Sequence, residues 1–376
     1  MQAVILAGGN GPRLHTPIST VPKPMLPLFD CPVMEHTIRL LAKQDIRDII
    51  VIISDTTKDL INYFSDGSRW GVNIRYSVET EPMGTAGSVK TIQSMINGTF
   101  VIVPGDAITD FDLADALHKH RSASAITSVL LYEDADPTEF GVPTLDADGK
   151  IIRFIEKPRA SEALSNTIST GIYILEPEAL SCIPYGREFD FARELFPRML
   201  NNQEPVYGFP LSGYWCDISN PMKYRNVHSD ALREKVKLDL PATHIGEGIW
   251  LGEGVAIDSS AEITGPLFLG SGVSVKRNAI LGERTVIGPD SLIGDGARIT
   301  RSALGSHSHI GSNTTVSDCI IGSGYILADD EDICDRILLT GTRYSIAPKS
   351  TPSIRTPGLP VKQPVKERIN FLELSA

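Results

Sequence analysis

Cysteine is scarce and scattered in this sequence, and positive charge is in deficit. The five cysteines, Cys31, Cys182, Cys216, Cys319 and Cys334, are odd in number and include no C-x-x-C pair. That excludes a disulfide framework and a cysteine zinc site, and it predicts reduced thiols in a cytoplasmic protein. With a formal net charge of −11, the chain lacks the basic footprint of a non-specific nucleic-acid binder, so no nucleic-acid partner is expected. Long apolar runs are missing as well. There is no stretch of about 20 apolar residues and no charged leader before an apolar core, so a soluble, non-secreted protein without a membrane partner is expected. What remains is ordinary globular composition, 41% hydrophobic and 22% charged over 376 residues. At roughly 100–200 residues per domain this length predicts two domains and a tail.

The two domains follow different periods. Up to about residue 235, strand-length runs rich in Val and Ile (2–7, 48–54, 73–79, 99–105, 125–133 and 169–175) alternate with helix-like segments. Those segments are Val33–Lys43, Lys58–Phe64, Ala86–Ile96 and Leu113–His120. This alternation predicts βαβ units and a largely parallel sheet covered on both faces. Ligands of such sheets sit at the carboxyl ends of the strands. After residue 243 the period becomes six. Ile245, Leu251, Ile257, Ile263, Leu269, Val275, Leu281, Ile287, Ile293 and Ile299 succeed one another without a miss. The series then continues with one residue dropped per turn, through Leu304, Ile310, Val316, Ile321, Leu327, Ile333 and Leu338. Three short strands per coil, each aiming one aliphatic residue inward, produce this pattern in a parallel β-helix. The segment from 346 to 376 holds five prolines and little periodicity, and reads as an extended tail.

Chemistry is signalled first just after the opening strand. Leu6 and Ala7 lead into Gly8, Gly9 and Gly11, a glycine-rich loop that can turn backbone N–H groups toward phosphate oxygens. Arg13 adds a cationic fork. Ten residues further on, Lys23 stands between Pro22 and Pro24, which predicts an extended, stiff backbone that limits where its ammonium can go.

The run G-G-x-G-x-R-L, followed by P-K-P-M-L-P, resembles the signature of the sugar-1-phosphate nucleotidyltransferases, and the resemblance extends along nearly the whole chain. Glu81, Gly84, Thr85 and Ala86 look like the family's base- and sugar-contacting loop, and Gly105-Asp106 like its carboxylate at the end of a central strand. Gly141, then Glu156-Lys157, resemble the sugar-phosphate pocket. Thr170-Gly171-Ile172-Tyr173 matches a strand lining the sugar, with Ser169 just before it on the sugar side, and Asp217 the loop with a second carboxylate. The appended hexapeptide repeats are similar to those of the mannose-1-phosphate guanylyltransferase branch.

The resemblance implies an α/β fold with a Rossmann-like, mostly parallel sheet of the GT-A-like nucleotidyltransferase type over 1–235. It implies a left-handed parallel β-helix over 243–345, and possible homo-oligomers built through it. The implied reaction is in-line attack of a sugar-1-phosphate oxygen on the α-phosphorus of a nucleoside triphosphate, with pyrophosphate leaving. Such transfers depend on positioning and on neutralising charge. Arg13 and Lys23 would hold the triphosphate, Lys157 the sugar phosphate and Glu156 the sugar hydroxyls. Asp106, with Arg13 and Lys23, would be catalytic, and Asp106 with Asp217 would carry Mg2+, a cation satisfied by one or two carboxylates plus phosphate oxygens.

Three positions depart from the family pattern: Pro12 stands where threonine is usual, His15 where arginine is frequent, and Ser169 in place of an asparagine. GTP with mannose-1-phosphate is the favoured substrate pair, and UTP or dTTP with glucose-1-phosphate the alternative. A rival reading is a non-catalytic regulatory relative, although such subunits often lose the lysine or carboxylates kept here. A third gives the β-helix an acyltransferase activity with His307 or His309 as base.

Overall fold

A computed structural model describes residues 1–8, 21–57, 59–339 and, as backbone, 342–345. The chain divides into two compact units, Met1–Trp250 and Leu251–Ala376. In the first, strands β1 (Gln2–Leu6), β2 (Asp48–Ser54), β3 (Asn73–Glu79) and β4 (Phe100–Pro104) run parallel in the order β4-β1-β2-β3. Both faces of β1 are covered. Ala3 and Ile5 belong to one buried cluster with Met34, Ile38 and Leu41 of helix α1 (Val33–Lys43), spaced to form one apolar stripe. Val4 points into the opposite cluster with Ala86 and Val89 of helix α3 (Gly84–Thr91), which follows α2 (Asp59–Phe64) in the chain. Alternate residues of one strand therefore serve two cores, as buried parallel strands require.

One strand breaks the parallel expectation. After the short strand β5 (Ala107–Thr109) and helix α4 (Leu113–Ser122), strand β6 (Thr127–Glu133) leads into a hairpin of β7 (Gly141–Leu145) and β8 (Ile151–Glu156). The chain then returns as β9 (Thr167–Leu175), antiparallel to both β4 and β6. A parallel return needs a crossover packed on the sheet, and the hairpin between β6 and β9 supplies no such helix. The register of β9 slips between Ser169 and Tyr173, around Gly171 at φ +78°. A Cβ at Gly171 would also come within 2.9 Å of Pro104 Cγ, so the bulge is built for glycine. Helix α5 (Phe196–Asn201), edge strand β10 (Val206–Pro210), strand β11 (Trp215–Asp217) and helix α6 (Pro221–Leu232) complete the unit. Strand β10 pairs parallel to β6.

In the second unit, short strands stack parallel in three sheets, one of them ending on an antiparallel strand over 342–345. Ile257 pairs with Val275, then Ile293, Ile310 and Leu327, in steps of eighteen and later seventeen residues. Glu262, Ile280, Arg298, Thr315 and Asp332 run up a second face in the same steps. The shortening falls between Ile293 and Ile310, where the hexapeptide pattern loses a residue. Val275, Leu281, Ile287, Ile293, Ile299, Leu304, Ile310, Val316, Ile321, Leu327 and Leu338 are all buried, so each coil covers the aliphatic residue of the next. Corners use left-handed backbone, among them His307 at φ 56°, whose imidazole lies 3.8 Å from Asp290 on the surface.

Candidate functional site

The carboxyl ends of β1, β2 and β4 converge where the glycine loop begins. The Ala7 N–H donates to Ile52 O and the Gly105 N–H to Leu6 O, each at 2.9 Å. A Cβ on Gly8 would lie 2.6 Å from Ile53 C and 2.7 Å from Ser54 N. Only glycine lets the chain leave β1 this close to β2. Leu6, Ala7, Gly8 and Gly105 thus sit side by side, while Gly9, Gly11, Arg13, Pro12 and His15 lie outside the described residues.

Lys23 departs from the expected extended backbone. It opens a single 3₁₀ turn, Lys23–Met25, closed by Met25 N–H to Pro22 O at 2.8 Å and Leu26 N–H to Lys23 O at 3.0 Å. Pro22, with ψ 147°, and Leu26, with ψ 129°, flank the turn in extended backbone; the turn hydrogen bonds outweigh the extended bias that Pro24 places on Lys23. From this turn the ammonium donates to Asp106 Oδ2 at 3.4 Å. Asp106 follows Gly105, and its carbonyl accepts the Ile218 N–H at 3.0 Å. The two-strand ladder of β5 and β11 pairs Ala107 with Asp217, which brings the second carboxylate beside the first. Burial pushes the Asp106 carboxyl up from its ordinary range, Asp217 adds to the rise, and the Lys23 ammonium opposes it.

Asp217 has a partner that the sequence reading did not single out. Lys223 Nζ hydrogen-bonds to Asp217 Oδ1, and the same ammonium lies 4.7 Å from the Phe140 ring centroid. Its one sequence signal is its place in the first turn of the helix after the aspartate.

The sugar-phosphate candidates come together on the β7–β8 hairpin, where Gly141 pairs with Glu156. A Cβ on Gly141 would lie 2.5 Å from Phe154 Cζ and 3.0 Å from Glu156 Oε2, so glycine makes room for that carboxylate. Burial raises the Glu156 pKa, nearby Asp190 raises it further, and Lys157 lowers it. Lys157 is exposed at φ 50°, its N–H donating to Phe140 O at 2.9 Å. Ser169 and Thr170 are buried in the β9 bulge. The Thr170 hydroxyl donates to Leu130 O at 2.8 Å and accepts the Ile172 N–H at 3.2 Å, and Ser169 Oγ reaches Tyr173 at 3.5 Å. Both hydroxyls serve the bulge in this structure.

The candidate base loop is fixed from behind by residues 189–191. Phe189 O accepts the N–H groups of Ala86 and Gly87, both at 2.9 Å, and the Phe189 N–H donates to Met83 O at 2.8 Å. The Thr85 hydroxyl donates to Asp190 Oδ2 at 2.8 Å and accepts the Phe191 N–H at 3.0 Å. A Cβ on Gly84 would lie 2.7 Å from Phe189 O. Glu81 is exposed at the mouth of the loop. Glu79, which sequence reasoning passed over, ends β3 with Oε1 buried and without a hydrogen-bond partner among the described residues, and burial raises its pKa.

Among the described residues no group of three or more His, Cys, Asp or Glu side chains could hold a metal ion. The Asp106–Asp217 pair, drawn together by the ladder and mutually unfavourable as bare charges, nonetheless fits Mg2+, which takes its remaining ligands from phosphate and water. No described helix is long and apolar enough to cross a membrane, and all five cysteines are free thiols.

The chain is 35% identical over 320 residues to a UTP–glucose-1-phosphate uridylyltransferase of Synechocystis sp., covering 81% of this chain and 82% of that one. It is 31% identical over 301 residues to a mannose-1-phosphate guanylyltransferase of Mycobacterium tuberculosis, covering 80% and 81%. A solved structure of a putative glucose-1-phosphate thymidylyltransferase from Bacillus anthracis, in complex with sucrose, superimposes with a TM-score of 0.55 at 26% identity. It covers 64% of this chain and 97% of that one. The GMPPB C-terminal domain model matches residues 263–342. The Nucleotidyl transferase model matches residues 2–234, well over half of the chain, and the protein therefore belongs to the nucleotidyl transferase family.

Proposed function

We propose that this chain transfers a nucleotidyl group from a nucleoside triphosphate to a sugar-1-phosphate, releasing pyrophosphate. One observation carries the reading: Lys23, Asp106 and Asp217 meet at the carboxyl ends of the strands, beside Gly8 and Gly105. The reaction joins two anions, so its barrier falls when cations hold both and neutralise charge on the transferred and leaving phosphates. Lys23, with Arg13, binds the triphosphate; Lys157 binds the incoming sugar phosphate; Glu156 accepts hydrogen bonds from sugar hydroxyls. Leu6, Ala7, Gly8, Gly9, Gly11 and Gly105 line the phosphates, and Glu81, Gly84, Thr85 and Ala86 the base. Gly141, Ser169 and Thr170 shape the sugar side. Asp106 and Asp217 hold Mg2+, which when bound polarises the phosphoryl oxygens.

The GMPPB C-terminal domain match and the Mycobacterium tuberculosis relative favour GTP with mannose-1-phosphate. The Synechocystis relative favours UTP with glucose-1-phosphate as the second reading. Free thiols support a cytoplasmic setting, and the β-helix is the element we expect to build a homo-oligomer.

A grid of nucleoside triphosphates against sugar-1-phosphates, read by pyrophosphate release, tests the proposal. Turnover is expected with GTP and mannose-1-phosphate, and loss of it in Lys23→Ala and Asp106→Ala. Were that pair among the slowest, the substrate assignment would be wrong; no turnover with any pair would favour a non-catalytic relative.

A further inference from the structure

Lys223 has no role in the proposed reaction, yet its ammonium is held at the candidate site by defined contacts. It is the third residue of α6, whose start is set by Pro221 and by Asn220, the side chain of which accepts the Lys223 N–H at 2.9 Å. The cap fixes the backbone from which the side chain departs. The ammonium then meets Asp217 Oδ1 on one side and the face of Phe140 on the other. Phe140 is itself held edge-on against Trp215, with ring centroids 5.4 Å apart. Lys223 and Asp217 side chains are only 27% and 26% exposed, so water screens this pair less than a surface one.

The Lys23–Asp106 contact repeats the motif one strand away. Among the described residues each of these two carboxylates is matched by an ammonium group, so a divalent cation arriving between them meets a compensated pair. At Asp217 it meets a like charge already bonded to the oxygen it needs.

We propose that Lys223 is an internal counter-ion that occupies Asp217 in place of a divalent cation, so that metal binding requires this ion pair to open. The inference rests on the reading of Asp217 as a metal carboxylate. It has a mechanistic consequence. The ammonium released from Asp217 gains a new anionic partner only when a phosphate group enters the cleft, so metal loading and phosphate binding reinforce each other.

The test is Mn2+ binding to the full-length protein without nucleotide, followed by electron paramagnetic resonance of the free ion. Lys223→Met and Lys223→Gln both remove the charge and are expected to bind Mn2+ about two- to fivefold more tightly than the parent, the upper part of the range for a partly exposed ion pair. Lys223→Arg keeps the charge and is expected to bind like the parent, and added salt should narrow the difference. Unchanged or weaker binding in both neutral variants would overturn the proposal while leaving Asp217 as a metal carboxylate. Asp217→Asn separates the two ideas: if it leaves Mn2+ binding unaltered, the metal reading falls and the counter-ion proposal falls with it.

Discussion

Thr85 and Asp190, 105 residues apart in the chain, meet hydroxyl to carboxylate at 2.8 Å. Asp190 uses its other oxygen to cap the following helical turn, accepting from the N–H groups of Ala192 at 2.9 Å and Arg193 at 3.1 Å. One carboxylate therefore ties the candidate base loop to a rigid helix start, and it also lies close enough to Glu156 to raise that residue's pKa.

Replacing Thr85 by Val removes the hydroxyl and keeps the shape. Two hydrogen bonds are lost, to Asp190 and from the Phe191 N–H, each worth about 1 kcal/mol, so the KM for the nucleoside triphosphate is expected to rise roughly five- to thirtyfold with little change in kcat. Steady-state pyrophosphate release with the triphosphate varied measures this. A change confined to the sugar-phosphate KM would show that the loop serves the other substrate.

Gly8→Ala places a methyl group against the backbone of Ile53 and Ser54, which cannot move aside as a side chain could. Overpacking of this kind costs about 1–3 kcal/mol. A fall of several degrees in Tm is expected, together with loss of nucleotide binding because the loop after β1 is displaced. An unchanged thermal transition would mean that β2 yields more easily than its buried position suggests.

Burial holds His36 and His228 down at about 4, against an ordinary 6.5. His228 is committed as a neutral ring: Nε2 accepts the Phe29 N–H at 3.3 Å and Nδ1 lies 3.0 Å from Tyr224 O, to which it donates. Between pH 6.5 and 4 the unfolded chain takes up protons that the native state refuses, so stability falls as the pH drops through that window. The loss is on the order of 3 kcal/mol per histidine across the window. Urea denaturation at several pH values between 7 and 4.5 tests it, and His228→Asn should reduce the slope by roughly half. A flat profile in the parent protein would contradict the burial argument.

In the solenoid, Ile293 is fully buried between Val275 and Ile310, its neighbours in register. Ile293→Ala is expected to cost about 2–5 kcal/mol, whereas Ile326→Ala, at a side chain 72% exposed, should be nearly neutral. Thermal melts of the two variants compare them; equal effects would mean that the inward column is not the core.

The divergence between sequence and structure is sharpest around the second carboxylate. Asp106 was visible as a polar residue after an apolar run, and Asp217 only as part of a family resemblance, because nothing local links residues 111 apart in the chain. The short ladder of Ala107 with Asp217 makes them neighbours. Lys223 had no signal beyond its charge and its place in the helix turn after Asp217, since its contacts with Asp217 and Phe140 form only when α6 packs beside β11.

What depends on periodicity and on local backbone chemistry was legible in the residues alone. The boundaries of α1, β2 and β3 follow from runs of apolar residues, and the β-helix follows from aliphatic residues six apart, because each coil contacts only its neighbours and repeats its own rule. The reversed direction of β9 and the use of Thr85 and Thr170 to hold backbone were settled only in the tertiary fold. These depend on hydrogen bonds between segments distant in the chain, such as Thr85 with Asp190 and Thr170 with Leu130, and such pairings leave no periodic trace in either partner's sequence.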